Sequence, residues 1–171
     1  MSNQSGLLYS SDNPSPYKTL LLYDRPTVSK IHSRRWTNLG IPNRLVDSAR
    51  QAVDIRNDVL SDFDVAVVHL SLGDREGMYG EAIKMIGRLL SANQMMRILI
   101  LTGGGYTVRQ QKALDLPVNG LFSVDELDEE IPPLLLEVQK GPLNPEELEK
   151  RGRELGIQGE RGSTGNRERD Y

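Results

Sequence analysis

The run Val65-Ala66-Val67-Val68 constrains this chain more than any other. Its four consecutive apolar residues, three of them β-branched, show no polar alternation, so a strand built from them must be covered on both faces. An inner strand of a parallel sheet, with helices on either side, meets that condition. The run ends on His69, one of two histidines in 171 residues. In open α/β sheets the chemistry collects outside the carboxyl ends of such strands, which makes His69 the first candidate functional side chain.

The flanking sequence supplies the rest of an alternating pattern. Thr19–Tyr23 reads as a first strand ended by Asp24-Arg25-Pro26. Pro26 suits the first turn of a helix from about Thr27 to Leu39, closed by Gly40. Arg44-Leu45-Val46 is a weak second strand. Ser48 is placed to cap a helix running through Leu60, with Ala49, Ala52, Val53, Arg56 and Leu60 at helical spacing. After the His69 strand and a loop over Ser71–Gly77, Ala82, Met85, Ile86, Leu89 and Leu90 mark an amphipathic helix. Arg97–Leu101 is a fourth strand, Tyr106–Leu114 a short helix and Gly120–Ser123 a fifth strand. Leu127, Ile131, Leu135 and Val138 form the face of a last helix, which Pro132 and Pro133 delay or kink. Five strands alternating with five helices predict an α/β domain, a doubly wound parallel sheet over residues 17–140. Residues 1–16, rich in Ser, Asn, Gly and Pro, read as a flexible arm. Residues 141–171 read as a charged tail with room for a short helix at 145–155 and disorder over Gly156–Tyr171.

Bulk properties narrow the function classes. A net charge of −3 and an isoelectric point near 5.5 do not suit a dedicated nucleic-acid binder. With no cysteine the chain has neither disulfides nor thiolate metal sites, which fits a reducing cytoplasm. No run approaches the roughly 18 apolar residues of a membrane span, and the polar N-terminus lacks a signal-peptide core. The expected setting is cytoplasmic, with no membrane partner.

In order and spacing these elements resemble the receiver domain of two-component response regulators, over roughly Lys18–Lys140. The resemblance implies a flavodoxin-like fold with strand order 2-1-3-4-5. It also assigns positions. The family's acidic pair falls on Tyr23 and Asp24. The phosphoaccepting aspartate falls on His69, because the family's Asp-x-x-x-x-Asp pattern here reads Asp64-Val65-Ala66-Val67-Val68-His69. Thr102 matches the hydroxyl residue ending the fourth strand, and Val124 takes the place of the family's lysine. Receiver phosphorylation needs a carboxylate nucleophile, a Mg²⁺ held by it with the acidic pair, and a lysine cation on the phosphoryl oxygens. Here an imidazole, a phenol and an isopropyl group stand in three of those places. The resemblance is therefore to a degenerate member, a pseudo-receiver, with no catalytic residue, metal or cofactor expected.

Each candidate also has a plainer reading. His69 could accept a phosphoryl group or sense pH; the plainer reading is a partly buried imidazole bonded to Asp24 or Thr102. Asp24 could bind a metal, or be a polar group left at a strand end. Gly103-Gly104-Gly105 could form a ligand loop, but it lacks the spacing and lysine of a P-loop, and a mobile connection explains it as well. Arg25, Lys30, Arg34, Arg35 and Arg44 form a basic stretch without an acid, answered by Asp125, Glu126, Asp128, Glu129 and Glu130. These are solvated faces, or patches that steer a partner or a second copy into a homodimer. Trp36 is expected in the core, and Met95 and Met96 at its edge. Candidate interface positions are Arg34, Arg35, Tyr106, Phe122, Asp125 and Glu126. The functional expectation is a phosphorylation-independent signalling or regulatory module that binds a protein partner. The alternative is a small-ligand or nucleotide-binding domain using Asp24, His69, Thr102 and the glycine loop.

Overall fold

Strand register sets this architecture. In a computed structural model, which describes residues 7–23, 26–69, 80–102, 118–123 and 133–152, five strands form one parallel sheet. They are β1 (Thr19–Leu22), β2 (Asn43–Val46), β3 (Val65–His69), β4 (Arg97–Thr102) and β5 (Gly120–Ser123). Their order, β2-β1-β3-β4-β5, is the flavodoxin-like one that the resemblance implies. All five residues of β3 are buried, as its unbroken apolar run requires.

Helices cover both faces. Leu20, Leu22, Ala66, Val68, Ile98 and Ile100 point to one core, shared with α2 (Ala49–Asp54), α3 (Asn57–Leu60) and α4 (Gly80–Ala92). The alternate residues Leu21, Tyr23, Val65, Val67, Leu99 and Leu101 point to the other, shared with α1 (Pro26–Asn38) and α5 (Pro133–Val138). Trp36 of α1 is fully buried there. Ser33 and Asn43 bond side chain to side chain at 2.5 Å, tying α1 to the start of β2. Met96 is buried and Met95 partly exposed.

The helix expected from Ser48 to Leu60 is two. Ser48 caps α2 as predicted, its Oγ accepting from Gln51 N–H at 3.1 Å. At Ile55 the backbone turns extended (φ −75°, ψ 128°) and carries that side chain into the core. Arg88 of α4 satisfies the carbonyls freed by the break, donating to Ala52 O at 3.0 Å and Ile55 O at 2.6 Å. Val53, expected on the inner face, is 64% exposed.

At the termini the arm packs on the domain, and a short helix falls where residues 145–155 left room for one. From residue 7 on, the arm lies against the domain: Leu7 packs on the α1/α5 core and Ser15 N–H donates to Gly40 O at 2.7 Å. Gly40 (φ 85°) has no room for a Cβ against the Ser10 backbone, and one at Gly141 (φ 74°) would come within 2.6 Å of the Tyr17 ring. Residues 145–152 form a helix, α6, across the amino-terminal end of β4. The short helix expected over Tyr106–Leu114, the loop Ser71–Gly77 and Gly156–Tyr171 lie outside the described residues.

Candidate functional site

β1 and β3 pair in parallel with Leu22 opposite Val68, so the next row sets Tyr23 beside His69. Neighbouring strands run about 4.8 Å apart. The two rings lie 4.8 Å apart, centroid to centroid, at 16°, and are stacked. The stack therefore follows from register. Both residues belong to the alternation that faces α1, and both are buried, Tyr23 at 1% and His69 at 3% exposure. The row continues across the sheet, since His69 is opposite Leu101 and Leu101 opposite Phe122. Phe122, a candidate interface residue, is half-buried and packs on this same core.

α1 supplies the third ring. Ser29, His32 and Trp36, spaced three and four apart, form its inward stripe, and all three are buried. The His32 ring lies 6.0 Å from Tyr23 at 30°. Both histidines of the chain thus flank one phenol, where stacked and tilted rings add about 1 kcal/mol beyond area burial. Sequence reasoning missed His32. The available signal was a polar residue on the stripe that carries Trp36.

The remaining candidates divide between two groups. Thr102 ends β4 opposite Ser123, one row beyond the stack. Arg34 and Arg35 are exposed on α1 and, with Ile31, Asn38 and Leu39, line a cavity of about 320 Å³. Asp24, Gly103, Gly104, Gly105, Tyr106, Val124, Asp125 and Glu126 lie outside the described residues.

The receiver fold implies a Mg²⁺ site, and the described residues do not fit one. Mg²⁺ selects an octahedron of hard oxygen donors. Tyr23 and His69, the two described positions that the resemblance assigns to carboxylates, carry a phenol and an imidazole whose rings pack on each other beneath α1. One face of the His69 imidazole is covered by Tyr23, and the residue is 3% exposed.

No protein-family model matches the sequence, and no curated protein does. Solved structures do match. A receiver domain from Clostridium thermocellum is similar at a TM-score of 0.56 and 13% identity, over 80% of this chain and 97% of its own. A CheY-like receiver protein from Methanospirillum hungatei is similar at 0.53 and 16%, over 81% and 98%. The receiver domain of a Francisella response regulator matches at 0.53 and 16%, over 72% and 97%. With the observed strand order, these similarities show that the chain has the fold of response-regulator receiver domains.

Proposed function

We propose that this chain is a signalling or regulatory module that works without aspartyl phosphorylation, by binding a protein partner in the cytoplasm. The observation that carries the reading is the Tyr23–His69 stack. Where a working receiver gathers carboxylates around Mg²⁺, this chain buries two rings against each other. A domain that has given up this chemistry and kept the fold retains its surfaces as its means of action. The outer face of α1 is the one that supports this best among the described residues. It exposes Val28 and Ile31 (56%) together with Lys30, Arg34 and Arg35, and no acid occurs from Arg25 to Arg44. That combination favours a partner with an acidic, partly apolar surface.

The test is exposure of the protein to Mg²⁺ with acetyl phosphate, and separately with beryllofluoride. Intact mass and melting temperature are both expected to stay unchanged. A phosphorylated species, or stabilisation by beryllofluoride, overturns the proposal.

A further inference from the structure

The base of the sheet, opposite the ring stack, holds a second organised cluster. Arg97, 2% exposed at the start of β4, donates to both oxygens of Glu147 on α6 at 2.7 and 2.8 Å and to Gly141 O at 2.9 Å. Arg151 of α6 is equally buried and donates to Gln94 O at 2.9 Å, Met96 O at 2.5 Å and Asn119 Oδ1 at 2.7 Å. Leu143 is the one buried apolar side chain of residues 141–152. Polar contacts thus dominate the docking, and segments with few buried apolar contacts are those that open locally. The turn that leads into the segment, Gly141-Pro142, has Gly141 at φ 74°.

Opening would ordinarily be opposed by the charge left behind, since removing one partner of a buried ion pair is strongly destabilising. Here a second carboxylate is near, one that Lys140 already holds through its other oxygen. Glu137 of α5 lies 3.7 Å from Arg97 Nη1, and it stays with the domain when α6 leaves. Asn119 likewise keeps its 2.9 Å bond from Ile98 N–H without Arg151.

We propose that residues 141–152 are a releasable strap, latched by Arg97 on Glu147 and by Arg151 on Asn119, with Glu137 taking over Arg97 when the strap opens. Because Asn119 leads directly into β5, the strap joins the position of that strand to the chain beyond Gly152. A pull on the segment after Gly152 loosens the entry to β5, and a shift of β5 weakens the hold on α6. This inference goes beyond the signalling reading, because it does not depend on what α1 binds.

Hydrogen exchange of the full chain, read peptide by peptide, tests it. Glu147→Gln keeps a side chain able to cap the helix but removes the charge facing Arg97. It is expected to raise exchange across 143–152 by about tenfold while β1 and β3 keep wild-type protection. Adding Glu137→Gln is expected to lower protection in β3 and β4 as well, because Arg97 then has neither carboxylate. If Glu147→Gln raises exchange equally everywhere, the strap is no separate unit and the proposal fails. It fails also if exchange over 143–152 is unchanged, or if the double variant leaves the sheet as protected as the single one. Should Glu147→Gln not fold, Arg151→Lys, which leaves Arg97 paired, gives the same readout over 143–152.

Discussion

The two ends of the sheet treat polar side chains in opposite ways. At the carboxyl end Tyr23, His69 and His32 are packed as rings, in a layer continuous with Leu101, Trp36 and Val67. At the amino end Arg97 and Arg151 are as deeply buried, but each is surrounded by oxygen acceptors at hydrogen-bond distance. An imidazole can be buried neutral and used as an apolar ring, whereas a guanidinium is always charged and must bring its acceptors inside with it. Among the described residues, the carboxyl end of the sheet is thus ring packing and the amino end holds the buried charges.

The largest test of this contrast is Arg97→Ala, which strands Glu147, the Gly141 carbonyl and the base of β4. It is expected to lower unfolding free energy by about 3 kcal/mol in urea titrations. A loss below about 1 kcal/mol would show that the buried charges do not hold the base. His69→Asp comes next, at about 2 kcal/mol, because it places an ionisable carboxyl in a ring layer with no described cation beside it. His69→Asn removes the stack but keeps a neutral polar group, and is expected to cost about 1 kcal/mol. If the order of the two His69 variants reverses, the site favours an anion and the packing account of the carboxyl end is wrong.

The smallest effect concerns acid. The hydrogen bonds from Arg97 hold the Glu147 carboxyl below its ordinary value of 4.5, assisted by the Asn144 amide and opposed by partial burial. The folded state thus prefers the ionised form. Stability from this group is complete above that ordinary value and is lost as pH falls through the lowered folded one. A plot of stability against pH is expected to be shallower below 4.5 in Glu147→Gln than in the wild type. Identical acid slopes would sharpen the contrast the other way, placing the latch in geometry rather than charge.

Much of this was legible in the chain itself. The β-branched run into His69 dictated a doubly covered inner strand, and strand order followed from the receiver resemblance. Ser48 and Gly40 announced helix ends because caps act within a few residues. Asn144-Pro145-Glu146-Glu147 is a capping box on the same grounds: Glu147 N–H bonds Asn144 Oδ1 at 2.8 Å and Asn144 N–H bonds Glu147 Oε1 at 3.1 Å. What the sequence determined by itself is of this local kind, periodicity and end signals with a reach of one or two turns. The tertiary structure alone decided that His32 meets Tyr23, that helix geometry breaks at Ile55 where Arg88 arrives from 33 residues away, and that Arg97 finds Glu147 at a separation of 50. It also decided that the arm packs on Gly40. Composition registers how polar a segment is, but the partner that makes a buried polar group tolerable is chosen by register and packing between distant elements.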